Sequence, residues 1–133
     1  MVVSVFTVPF AFNYYQNHLY PKDRTIYVVA RQWEFVPGTK EPIVVKQGTL
    51  VRLLITSEDV AHGFMIDGYN LTVILTNGSR YNVTDVVLYA GEPVLVEFFA
   101  DKPGTFWIRC NVQCHPVMHW YHRGRLIVRN QTA

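Results

Sequence analysis

The chain has 133 residues, with 12 Lys and Arg against 10 Asp and Glu, and its formal charge of +2 offers no electrostatic case for holding a nucleic-acid backbone. Half of the residues are apolar and 17% are charged, a balance that excludes disorder and predicts one compact domain over residues 1–133. Two cysteines are too few for a disulfide scaffold.

The first apolar stretch runs from Val2 to Phe12 and is interrupted by Ser4, Thr7 and Pro9. It falls well short of the roughly 20 residues a membrane-spanning helix needs. It also lacks the charged start and cleavage site of a signal peptide. The expectation is a first strand or extended arm within residues 1–24; the alternative is the remnant of an anchor preceding Met1.

The next segments are rich in β-branched and aromatic residues and read as strands. They are Thr25–Phe35, Ile43–Lys46, Thr49–Thr56, Gly63–Asp67, Leu71–Thr76, Tyr81–Tyr89, Val94–Ala100, Thr105–Arg109 and Arg125–Arg129. Turn residues separate them: Pro37-Gly38, Gln47-Gly48, Asp67-Gly68, Asn77-Gly78, Gly91-Glu92-Pro93 and Pro103-Gly104. Short strands at this spacing predict an all-β sandwich or barrel. Four glycosylation sequons begin at Asn70, Asn77, Asn82 and Asn130, which favours an exported surface over plain turn chemistry.

The chemistry concentrates in two places. His62 closes Ser57-Glu58-Asp59-Val60-Ala61-His62, and Cys110, Cys114, His115, Met118, His119 and His122 lie between the last two strands. Only His18 falls elsewhere. Thiolate, imidazole and thioether donors suit copper or zinc and ill suit magnesium or calcium. A loop held between two strands of a rigid sandwich keeps such donors in place, and His62 would come in from a neighbouring strand.

The segment Ser57–His62, followed by Pro103-Gly104-Thr-Phe-Trp-Ile-Arg-Cys110-x3-Cys114, resembles the soluble domain of subunit II of haem–copper oxidases. Arg31-Gln32-Trp33-Glu34-Phe35 is similar to that family's Gln-Trp-aromatic segment. The resemblance runs from about Thr25 to Asn130 and implies a cupredoxin-like Greek-key β-sandwich with a dinuclear CuA centre. Carried over by position, Cys110 and Cys114 bridge the coppers, His62 caps one of them, and the Val112 carbonyl is a weak donor.

The family continues Cys-x3-Cys-x3-His-x2-Met-x-Gly, and here the chain departs from it. Counted from Cys114, the histidine position holds Met118 and the methionine position Tyr121. Anchored instead on Gly124, the histidine position holds His119 and the methionine position His122, with one extra residue after Cys114. The second alignment keeps an imidazole for the second metal and makes His122 an axial ligand, with Met118 and His115 as neighbouring donors. The related centre of nitrous-oxide reductases also has a histidine directly after the second cysteine. One copper, a zinc ion held by Cys110, Cys114, His119 and His122, or a disulfide stay open as alternatives.

In the same resemblance Trp33 is part of an electron entry patch over the copper, against a plain packing role. Trp120 and Tyr121 are an apolar docking rim or a shield against water. Glu58 and Asp59 are acidic docking residues or a solvated turn, and Trp107 is expected in the core. No hydrolytic motif is present, and neighbouring Cys114 and His115 point apart on an extended chain, so catalytic residues are not expected.

The resulting expectation is one-electron transfer through copper without bond-making chemistry in this domain. The donor would be a small redox protein, cytochrome c or a cupredoxin, and the acceptor a haem–copper oxidase subunit I. The site would face the extracytoplasmic side of a membrane. The rivals are a copper storage or metallochaperone domain, a mononuclear cupredoxin carrier, and a structural zinc module.

Overall fold

The computed structural model describes residues 25–111 and 122–130. Its strands are β1 (Thr25–Arg31), β2 (Glu34–Val36), β3 (Ile43–Lys46), β4 (Thr49–Ser57), β5 (His62–Ile66), β6 (Leu71–Ile74), β7 (Arg80–Val83), β8 (Asp85–Leu88), β9 (Val94–Ala100), β10 (Gly104–Arg109) and β11 (Arg123–Arg129). They form a six-stranded sheet in the order β2-β1-β4-β9-β6-β7 and a five-stranded sheet in the order β3-β11-β10-β5-β8. The β1–β4 and β3–β11 pairs are parallel and the other pairs antiparallel. This is the expected all-β, cupredoxin-like sandwich. No helix among the described residues is long and apolar enough to cross a membrane.

Alternation along the strands builds the core. Val28, Leu53, Ile55, Val96 and Phe98 face inward from the larger sheet and meet Phe64, Ile66, Ile108, Leu126 and Val128 from the smaller one. Burying each such side chain contributes about 1.5–3 kcal/mol. The central strand β4 is buried from Val51 to Ser57 on both faces. On its outer face Arg52 stands opposite Glu97, and Glu97 accepts a 2.9 Å hydrogen bond from Arg80 Nη1. Charges removed from water in this way need such pairing.

Two expected strands are divided. Thr25–Phe35 turns back at Gln32-Trp33, so that β2 pairs antiparallel with β1 through Arg31 and Glu34. Tyr81–Tyr89 splits at Thr84: β7 stays on the larger sheet while β8 crosses to the smaller one. In each place two adjacent polar residues, Arg31-Gln32 and Thr84-Asp85, interrupt the apolar pattern, but no glycine or proline marks the bend. Trp107 is corrected as well. It is 42% exposed on the outer face of the smaller sheet, because its neighbours Phe106 and Ile108 take the inward parity. Its ring lies 4.7 Å from the Arg123 guanidinium. The expected strand at Val2–Phe12 and the arm 1–24 lie outside the described residues.

Candidate metal centre

Three side chains from three chain segments converge at one end of the sandwich. One donor atom each from His62, Cys110 and His122 lies within 4.8 Å of the others. His62 and His122 are fully buried and Cys110 is 8% exposed. His62 opens β5, Cys110 follows the end of β10, and His122 immediately precedes β11. Because β10 pairs with both β5 and β11, the sheet itself brings the three together.

The loop before β5 aims the first imidazole. Ser57 Oγ donates to the Val60 carbonyl, and Asp59 Oδ1 accepts from the Val60 N–H at 2.6 Å. That same Oδ1 lies 2.7 Å from His62 Nε2, while Oδ2 accepts from the Gln32 N–H at 2.9 Å. A carboxylate at Nε2 makes that nitrogen the N–H donor and leaves the Nδ1 lone pair for another partner. Burial pushes the Asp59 carboxyl up, but the hydrogen bonds from Gln32, His62 and Val60 outweigh it and hold the group below its ordinary value. Burial likewise pushes the His62 imidazolium down, and its polar contacts with Cys110 and Asp59 outweigh that, so its pKa is raised.

The second imidazole is set by the β2–β3 connection. Thr39 Oγ1 accepts from the Phe35 N–H and donates to the Arg123 carbonyl, both at 2.8 Å. The Gly38 carbonyl accepts from the Arg125 N–H at 3.0 Å. Between these anchors Gly124 lies so close that a Cβ on it would stand 2.8 Å from the Gly38 carbonyl carbon. Only glycine permits this approach, and it fixes the backbone two residues after His122. His122 then stacks on Phe35, with centroids 4.2 Å apart and planes 23° from parallel. Phe35 in turn meets Phe64 edge to face at 5.5 Å.

Cys110 receives a hydrogen bond from the Gly63 N–H to Sγ at 3.3 Å. Such a donor stabilises negative charge on sulfur and orients it. The imidazoles are the more telling feature. Nδ1 of His62 and both ring nitrogens of His122 are buried with no hydrogen-bond partner of ordinary geometry among the described residues. Leaving a buried polar atom in that state costs roughly 1–3 kcal/mol. Two imidazoles and a thiolate donor, buried and mutually close, fit a copper ion and account for the unsatisfied nitrogens.

Of the residues expected at the site, His62, Cys110 and His122 are brought together. Val112, Cys114, Met118, His119, Trp120 and Tyr121, with His115, lie outside the described residues. Trp33 is half-buried in the turn between β1 and β2, next to the Gln32 amide that Asp59 binds. Glu58 is exposed and 3.4 Å from Arg31, which also bonds Glu34 at 3.1 Å. Asp59 has a contact that neither a docking nor a solvated-turn reading contains, its bond to His62. The Asp-x-x-His spacing was the available signal. The stacking of Phe35 on His122 had no local signal, since the two are remote in sequence.

Comparison with known proteins places these features in context. Residues 8–130 match the family profile described as multicopper oxidase. Nitrous-oxide reductase of Cupriavidus necator is 37% identical over 87 residues, 62% of this chain and 11% of that protein. Cytochrome c oxidase subunit 2 of Thermus thermophilus is 33% identical over 94 residues, 71% of this chain and 58% of that protein. The chain therefore spans a small part of the first and little more than half of the second. A heme-copper terminal oxidase dimer has a chain that superposes with a TM-score of 0.58 at 27% identity, over 84% of this chain and 68% of its own. A multi-copper oxidase from Pseudomonas Thermotolerans superposes with a TM-score of 0.65 at 16% identity, over 80% of this chain and 29% of its own, a likeness of fold alone.

Proposed function

Because the chain belongs to the multicopper oxidase family and is a cupredoxin-like copper-binding domain related to cytochrome oxidase subunit II, we propose that it carries single electrons through a copper centre of CuA type. The observation that carries this reading is the convergence of His62, Cys110 and His122 with buried, unsatisfied imidazole nitrogens. Copper held there supplies reversible one-electron oxidation and reduction. Cys110 and Cys114 would supply the sulfur donors, His62 and His119 the imidazoles and Val112 a backbone carbonyl, while His122 would take the place of the family's methionine and Met118 would be a further candidate donor.

The chain's own part is rigidity, exclusion of water and a route for the electron. Strand pairing and the Gly38–Gly124 contact hold His62, Cys110 and His122 in place, which keeps reorganisation small. Burial of both imidazoles keeps solvent away. Trp33 is the entry residue in this reading. Its neighbour Gln32 donates its N–H to Asp59, and Asp59 bonds His62, so two hydrogen bonds connect the turn to the ligand. Glu58, Trp120 and Tyr121 complete the docking rim for a small redox donor. The acceptor is a haem–copper oxidase subunit I, at the extracytoplasmic face of a membrane.

One observation favours a second reading. His62, Cys110 and His122 are by themselves the two-imidazole, one-thiolate set of a mononuclear blue-copper carrier. Reconstitution with copper, metal counting and paramagnetic resonance decide between them. A purple species with two coppers per chain and hyperfine coupling shared over both nuclei supports the CuA reading. One copper with coupling to a single nucleus supports the second reading, and a protein that binds only zinc overturns both.

A further inference from the structure

We propose that the β6–β7 hairpin carries N-linked glycans on Asn70, Asn77 and Asn82, an inference that rests on the extracytoplasmic placement above. The chain has seven asparagines and thirteen serines and threonines in 133 residues. At that frequency a hydroxyl residue would stand two positions after an asparagine less than once by chance. It does so four times, and three of the four fall on one hairpin.

Turn chemistry explains only part of this. Asn77 starts the tight turn with Gly78, whose φ is +90°, and its Oδ1 accepts from the Ser79 N–H at 2.9 Å. That accounts for an asparagine at the tip but makes no demand for the hydroxyl of Ser79. Asn70 precedes β6 and Asn82 lies within β7, where a turn has no use for either asparagine. In register Thr72 faces Asn82, and its hydroxyl bonds Asn82 Oδ1 at 2.9 Å. The hydroxyl of one sequon thus touches the asparagine of another through the carbonyl oxygen, while Nδ2 is the atom that takes sugar.

The fold can accommodate the modification at all three positions. Asn70, Asn77 and Asn82 are exposed, so a bulky group on each ends in solvent once the chain has folded. The hairpin also has a liability that glycans would answer. Among the described residues strand β7 is an edge of the six-stranded sheet, and Arg80, Tyr81 and Asn82 are exposed along it. Leu75 and Tyr81 are 42% and 49% exposed. An open edge with apolar neighbours invites pairing with other chains, and attached sugar blocks that approach.

The donor is a lipid-pyrophosphate-linked oligosaccharide. Asparagine Nδ2 forms a bond to the anomeric carbon as the bond from that carbon to the phosphate oxygen breaks. The lipid pyrophosphate leaves with the electron pair, one amide proton is lost, and nothing is oxidised or reduced.

Tryptic peptides of the protein purified from its native cells test the proposal. Leu53–Arg80 contains Asn70 and Asn77, and Tyr81–Arg109 contains Asn82. Both peptides are expected to carry sugar-mass additions. In the same cells Ser79→Ala should remove one addition from the first peptide while keeping Asn77, and Asn82→Gln should remove the addition from the second. In parallel, intact cells are treated with a membrane-impermeant amine reagent, read at exposed Lys102. Unmodified peptides with Lys102 labelled overturn the glycan proposal and leave the placement standing. Unmodified peptides with Lys102 unlabelled overturn both.

Discussion

Asp59 and His62 form a fixed pair, with Oδ1 2.7 Å from Nε2, while the imidazole itself is fully buried. The carboxylate is in turn gripped by the backbone amides of Gln32 and Val60. A residue that the family resemblance places among docking acids or in a solvated turn is therefore the one that orients the His62 imidazole. This bond settles which ring nitrogen stays available.

Replacing Asp59 by Ala should release that ring. Loss of the partner behind a metal-bound histidine typically costs about 10–100-fold in metal affinity. Asp59→Ala is therefore expected to weaken copper binding by that factor and to shift the visible spectrum. Competition against a copper chelator, with thermal unfolding as the control for folding, checks it. Unchanged affinity and spectrum would remove Asp59 from the site.

The pH dependence follows from the raised pKa of His62. A histidine that binds its proton more tightly when folded stabilises the copper-free protein below its unfolded pKa of about 6.5. That contribution is lost as pH rises through the higher folded value. Copper competes for the same nitrogen and gains affinity over the same interval, about tenfold per pH unit for each proton displaced. Urea midpoints at pH 6 and pH 8 should therefore fall with rising pH for the copper-free protein and rise for the copper-loaded one. Asp59 acts at the other end of the scale. Its lowered pKa adds stability above the unfolded value of about 3.9, and that is lost as pH falls through the folded one.

Gly124→Ala tests the clamp between Gly38 and Gly124. The new Cβ would stand 2.8 Å from the Gly38 carbonyl carbon, a backbone atom that cannot swing aside. Overpacking of this kind costs about 1–3 kcal/mol. The shift it forces falls on His122, two residues earlier. Lower stability in urea is expected together with a changed copper spectrum, whereas a destabilised protein with an unaltered spectrum would separate the clamp from the site.

His122→Met tests the axial assignment. A thioether favours reduced copper more than an imidazole does, so the reduction potential should rise. Voltammetry of the copper-loaded variant measures it. An unchanged potential would assign the axial position to another donor, Met118 being the nearest alternative in sequence.

Much of the molecule was legible without coordinates because strand-forming sequence is local. Val94–Ala100 and Ile43–Lys46 are found with the bounds that their composition predicts. The turn-back at Gln32-Trp33 and the crossing at Thr84 were not legible, since which sheet a strand joins depends on partners far along the chain. Trp107 shows the same limit on a smaller scale. Its aromatic character suggests the core, but parity along β10 gives the inward positions to Phe106 and Ile108.

Sequence alone determined the donor chemistry: histidines and cysteines in two clusters, a soft set suited to copper or zinc, on a chain with the strand and turn pattern of a sandwich. Only the tertiary structure decided that Phe35 supports His122, that Asp59 orients His62, and that Gly38 and Gly124 meet. Side-chain type is a property of each residue, while a distance between remote residues arises from how the sheets pair and pack.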